Sequence, residues 1–185
     1  MRIERLAIIA VLLGLLAGCG SGESAAPSGA VAELTVQRSA YTLRVPEVWK
    51  DVTADHQTKM ALDLFMVGGP ADGNPDVFSV RLTPIAPKYI PWTDAALTDL
   101  EAQKDGFNTK DVTESIVAPR VTVDGVPSIH FSKTQSGQKA EQVVTYHDRQ
   151  LVLVTFGFGP ETTAEHRDSV VKEILAGWKW KPAPA

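Results

Sequence analysis

The chain has 185 residues, a formal net charge of −4, 44% hydrophobic and 22% charged residues. This balance is globular rather than disordered, and an acidic chain without a basic block lacks the electrostatic footprint of a nucleic-acid-binding protein. A single cysteine excludes an intramolecular disulfide and any cysteine-rich zinc site.

Met1-Arg2-Ile3-Glu4-Arg5 is a short segment with two separated arginines, and Leu6 to Leu16 follows without a polar residue. That run is too short for a bilayer-spanning helix, which needs about 20 residues, and suits a secretory signal. Leu16-Ala17-Gly18-Cys19 comes directly after it and resembles the lipobox of bacterial lipoproteins, in which the cysteine receives diacylglycerol and the preceding segment is removed. The resemblance implies a signal peptide over residues 1–18 and a lipidated Cys19. Each buried acyl CH2 contributes about 0.8 kcal/mol of membrane affinity, so two or three chains on one residue anchor a protein stably. Loss of Arg2 and Arg5 against Glu4 leaves the remainder one charge more acidic. Residues 19–33 are rich in Gly, Ser and Ala and read as a flexible tether with a mean reach on the order of 20 Å.

The domain proper is expected over 34–181, with a short tail at 182–185. Tyr41 to Val45 alternates and stops at Pro46, which predicts a strand; Trp49 and Val52 mark a short second piece. Ala61 to Val67 reads as a buried strand ended by Gly68-Gly69-Pro70. Val77 to Thr83 alternates, with Phe78, Val80 and Leu82 on one face. Pro84, Pro87 and Pro91 break the chain before a helix from Ala95 to Asp105, capped by Thr93 or Asp94 and stopped by Gly106. Val112 to Val117 is the next strand. Arg120–Val123 and Val126–Lys133 flank the hairpin turn Asp124-Gly125; Ser136-Gly137 is a second turn; Gln142–His147 and Gln150–Phe158 flank a third at Asp148-Arg149. Thr162-Thr163-Ala164-Glu165 fits a capping box with Thr162 as the cap. Val170, Val171, Ile174, Leu175 and Trp178 follow at helical spacing, with Gly177 as the stop. The expected class is α+β: a curved antiparallel β-sheet with packed α-helices.

Three features together resemble a known superfamily: Tyr41-Thr42-Leu43-Arg44-Val45-Pro46-Glu47-Val48-Trp49, the hairpin Val123-Asp124-Gly125-Val126-Pro127, and a meander leading to a final amphipathic helix that ends in Trp178. They are similar to the PsbP-like domains, in particular those of actinobacterial lipoproteins of the LpqN/LpqT type. The resemblance implies a curved sheet between helices and an accessory or binding role, linked in the mycobacterial lipoproteins to cell-envelope biogenesis. It implies no catalytic residues, because none is shared across the superfamily, and fold alone does not determine function.

The residues themselves supply little chemistry. His56, His130, His147 and His166 include no HxxxH pair for a helical zinc site. Ser128 lies two residues before His130, but same-strand neighbours splay in parallel and the context lacks the nucleophile elbow, so a surface serine is the simpler reading. Asp72, Asn74 and Asp76 alternate like a calcium loop, yet the sixth and twelfth positions are Val77 and Thr83 instead of Gly and Glu. Asp99, Glu101, Lys104 and Asp105 read as a solvated helix face. Trp49 and Trp178 fall on patterned elements and are expected in the core. Tyr89, Trp92 and Trp180 are the candidates for an exposed recognition surface, against the plainer reading that they cover the sheet or a helix end. The resulting expectation is a non-enzymatic, extracytoplasmic binding module without metal or cofactor, anchored to a membrane by lipid on Cys19 and contacting an envelope protein. The alternative is a carrier of a lipid or other apolar envelope molecule in an internal cavity. A hydrolase using His130 or His147 is the third reading.

Overall fold

The computed structural model describes residues 32–56, 62–68, 75–102, 112–135 and 137–182. The lipobox, residues 19–31 of the expected tether, Asp72, Asn74, Lys104 and Asp105 lie outside them, whereas Glu33, expected as the last tether residue, already belongs to the first strand.

Two-residue alternation becomes strand register almost directly. β1 (Glu33–Gln37), β2 (Tyr41–Pro46) and β11 (Trp178–Trp180) form a three-stranded sheet in the order β1-β2-β11. The larger sheet has eight strands: β3 (Lys50–Asp51), β4 (Leu64–Gly68), β5 (Asp76–Pro84), β6 (Val112–Ile116), β7 (Val121–Val123), β8 (Val126–Gln135), β9 (Gln138–His147) and β10 (Gln150–Phe158). Its order is β3-β4-β5-β10-β9-β8-β6, with β7 also paired to β8, and every pairing is antiparallel. Two tight hairpins set the register. Asp124 and Gly125, and Asp148 and Arg149, all take positive φ, as mirror-image two-residue turns require.

The inner face of the large sheet carries Leu64, Met66, Phe78, Val80, Val143, Val152, Val154 and Phe156. The three-stranded sheet and α3 (Ala164–Ala176) close over it with Tyr41, Leu43, Val45, Val170, Val171, Ile174, Leu175 and Trp178. Tyr41 stacks on Trp178 at 4.2 Å between centroids, and Trp49 meets Phe78 edge-on at 5.1 Å. The expected core placement of Trp49 and Trp178 therefore holds. The outer face is covered over part of its length. α2 (Asp94–Ala102) lays Leu97 and Leu100 on Ile129, Phe131, Val144 and Leu151. Arg120 fastens α2 from the sheet side, with Nε and Nη2 on the two oxygens of Glu101 at 2.7 and 2.8 Å and Nη1 on Asp94 at 3.1 Å. This pairing holds the Glu101 carboxyl below its ordinary pKa, so Glu101 is a docking residue as well as part of a solvated face.

Several boundaries differ from expectation. The cap of α3 is Thr163, whose hydroxyl accepts from the His166 amide at 3.2 Å, one residue later than Thr162. Thr162 instead turns its carbonyl to Lys139 and Arg167. β9 begins four residues before the expected Gln142. Trp178, placed at helical spacing in the sequence, instead opens β11, which pairs with β2. Gly177 does end the helix, for a tertiary reason: a Cβ there would overlap the Arg44 carbonyl, while Arg44 N–H donates to Gly177 O at 3.0 Å.

Candidate functional site

The polar groups with any chemical capacity gather beneath the first turn of α3. Glu141 occupies an inward position of β9 and is 3% exposed. Its carboxylate accepts from His130 Nε2 at 3.0 Å, Ser132 Oγ at 3.1 Å and Arg167 Nε at 2.9 Å. Burial opposes its ionisation, but these donors outweigh it and hold the carboxyl below the usual range. The neighbouring His166 reaches the other way, placing Nε2 2.7 Å from the buried Asp76 of β5. Two adjacent helix residues thus seat α3 on two inward carboxylates. Ser128 is fully buried, not on the surface as expected, because the inward register of β8 runs Ser128, His130, Ser132; its hydroxyl donates to Val126 O at 2.9 Å, not to His130. Asp76, the described member of the rejected calcium loop, is buried on a strand. Among the described residues no group of three or more His, Cys, Asp or Glu is placed to hold a metal. The arrangement is a structural clamp: its donors and acceptors face one another and leave no group directed at an open cleft. An acidic residue in the inward register of an otherwise apolar strand was the one sequence signal for it.

The three aromatic candidates are not equivalent. Tyr89 is 7% exposed and packs with Ile85 and Ala96, whereas the adjacent Ile90 is 43% exposed. Trp92 is half-buried, stacked on Tyr146 at 5.7 Å, with its indole N–H on Pro127 O at 2.7 Å. Trp180 is half-buried too, stacked on His147 at 4.5 Å, with its indole N–H on Val123 O at 3.0 Å. Tyr146 and His147 are consecutive, so the two tryptophans sit back to back across the same end of β9. Together with Ile90 they rim the end of the sheet where β5 finishes at Pro84. The chain joins the domain at the opposite end: Ala32 O accepts from Glu47 N at 2.9 Å, and Trp49 beside it packs on Phe78 near the start of β5.

Two concavities of about 570 Å3 each accompany this frame. One is polar, around Arg38, Asp51, Thr53 and Asp63, and is largely self-satisfied. Arg38 bonds Asp51 at 2.6 Å and Asp63 O at 2.9 Å, and Tyr41 donates to the Asp63 carboxylate at 2.7 Å. Burial works against Asp51, yet Thr53 and Arg38 hold its carboxyl below the usual range. The other is an open trough on the outer face beyond α2, at the Asp76 end of β5. Its floor follows the register: Val77, Gly157, Ala140 and Lys133 form one row across β5, β10, β9 and β8, with Glu114 of β6 next in line. Ser79, Thr155 and Gln142 form the adjacent row, in which Gln142 Nε2 donates to Thr155 Oγ1 at 3.0 Å. A Cβ on Gly157 would crowd Val77, so the row stays low at that position.

No protein-family profile and no curated protein sequence matches the chain. Solved structures do. The solution structure of cyanobacterial PsbP (CyanoP) from Synechocystis sp. PCC 6803 matches with a TM-score of 0.56 at 14% identity, over 90% of this chain and 99% of the other. The crystal structure of LpqN of Mycobacterium tuberculosis, described as involved in cell envelope biogenesis, matches with a TM-score of 0.53 at 15% identity, over 82% of this chain and 91% of the other.

Proposed function

We propose that this chain, whose fold is PsbP-like and similar to that of LpqN, is a non-catalytic binding module of the cell envelope. Lipid on Cys19 holds it to the membrane, and the aromatic rim at the Pro84 end of the sheet docks an envelope protein. The rim carries the reading. Val48 and Ile90 are the two exposed large hydrophobics among the described residues, 62% and 43%; Ile90 lies beside Trp92, at the end away from where the tether joins. Both tryptophans have satisfied N–H groups, so their rings are held rigidly, and rigid aromatic anchors are what protein interfaces concentrate. Tyr89 supports this rim from beneath instead of touching the partner. The role described for LpqN supports an envelope setting.

The carrier reading needs an enclosed apolar space of several hundred Å3. Between α3 and the inner face that space is occupied by Tyr41, Phe78, Phe156, Met66 and Trp178, all fully or almost fully buried, which favours a surface interaction. Catalysis through His130 or His147 is disfavoured because His130 is committed to the buried Glu141 carboxylate and His147 is stacked on Trp180.

A photo-crosslinking residue at position 90, in the full chain in its native membrane, tests the rim. One discrete crosslinked envelope protein is expected, lost in Trp92→Ala or Trp180→Ala chains that retain cooperative unfolding. The same product from position 48, or none from position 90, sinks the assignment.

A further inference from the structure

We propose that the outer-face trough holds an acyl chain of an anionic lipid drawn from the bilayer to which the chain is tethered, with the lipid's phosphate at Lys133. This rests on the reading of the chain as membrane-anchored.

Four observations carry it. First, the trough has the volume of a small-molecule site, about 570 Å3. Second, its floor is an apolar row, Val77–Gly157–Ala140, that ends in one cation, Lys133. At the usual strand spacing the row from Val77 to Lys133 is roughly 14 Å long, an elongated shape for an elongated apolar ligand. Glu114 beyond Lys133 is engaged in an interaction of its own, and Lys139 at the margin already donates to Thr162 O at 3.1 Å. Third, β5, β10, β9 and β8 are each paired on both sides, and Gln142 and Thr155 bond each other. The floor therefore offers no free main-chain edge and few free side-chain donors. An extended peptide needs such an edge to dock on a sheet; a hydrocarbon chain does not. Fourth, the trough lies at the Asp76 end of β5, where the chain leading from Cys19 joins the domain. A tether with a reach on the order of 20 Å keeps that end near the lipid surface.

The test uses the mature chain from Cys19 onward with Cys19→Ser, titrated below the critical micelle concentration with dihexanoyl phosphatidylglycerol, dihexanoyl phosphatidylcholine and glycerol phosphate. Amide chemical shifts are the readout. Saturable shifts at Val77, Ala140 and Gly157 are expected. The anionic lipid should bind about fivefold more tightly than the zwitterionic one, the scale of one partly exposed charge pair. Lys133→Gln should erase that difference without abolishing binding, and Ala140→Phe should abolish both; the unbound shift spectrum shows whether each variant is folded. Overturning results are absence of saturable shifts, shifts confined to the Trp92–Trp180 rim, equal affinity for the two lipids, or glycerol phosphate binding as well as the anionic lipid. Because no envelope protein is present, failure of the rim crosslink leaves this result untouched, and the reverse.

Discussion

Glu141→Gln isolates the clamp under α3. The substitution keeps the shape but removes the charge, and it replaces one acceptor oxygen with a donor facing His130, Ser132 or Arg167. Arg167, with 15% of its side chain exposed, loses its buried counterion and keeps only the Thr162 carbonyl. Breaking a buried pair from one side costs about 3–5 kcal/mol, and a hydrogen bond to a charged group is worth about 1.5–3. Arg167 retains some solvent access, so the expected loss at pH 7 is about 2–4 kcal/mol, with the melting temperature falling roughly 2–4 °C for each kcal/mol. The pH dependence is the sharper test. The folded pKa of Glu141 lies below its ordinary value of 4.5, so the carboxylate contributes stability that is fully present above the unfolded pKa. That stability is lost as pH falls through the folded pKa. The gap between the two proteins should therefore be constant from pH 7 to about 5 and narrow below about 4.5, where the unfolded chain takes up the proton first, until the native carboxylate is protonated as well. Urea unfolding at a series of pH values measures it. A gap under about 0.5 kcal/mol at pH 7, the range of ordinary surface changes, or a gap independent of pH, would refute the account of Glu141 as an ionised anchor.

Three further outcomes follow from particular contacts. Gly177→Ala forces a methyl into the Arg44 carbonyl and should cost about 2 kcal/mol or more; unfolding within 0.5 kcal/mol of the parent would show that β11 and α3 move apart easily. Burial, then the hydrogen bond to Asp63, pushes the Tyr41 phenol far above its ordinary pKa, so Tyr41→Phe should leave the absorbance titration below pH 11 unchanged while the chain stays folded; a lost step in that range contradicts it. If Cys19 carries the anchor, Cys19→Ala should move the protein from the membrane fraction to the soluble one and leave the amino-terminal peptide without lipid mass; a membrane-bound alanine variant would place the anchor elsewhere.

Some of this architecture is local and was readable residue by residue. β5 and β10 alternate in sequence as they do in space, and Asp124-Gly125 and Asp148-Arg149 form the turns their side chains permit, because period and turn chemistry act over a few residues. The resemblance carried by Tyr41–Trp49 and the Val123–Pro127 hairpin led to the right fold for the same reason: both are short segments whose geometry their own residues dictate. Other features depend on a partner distant in the chain. Trp178-Lys179-Trp180 is a strand only because β2 offers it an edge 135 to 139 residues earlier, at Leu43 and Tyr41. His130 is buried because Glu141 meets it there. The trough exists because four strands bring Val77, Gly157, Ala140 and Lys133 into one row. Three-residue strands, buried ion pairs and cross-strand rows are joint properties of segments far apart in sequence, and only the tertiary pairing brings their free energies to bear.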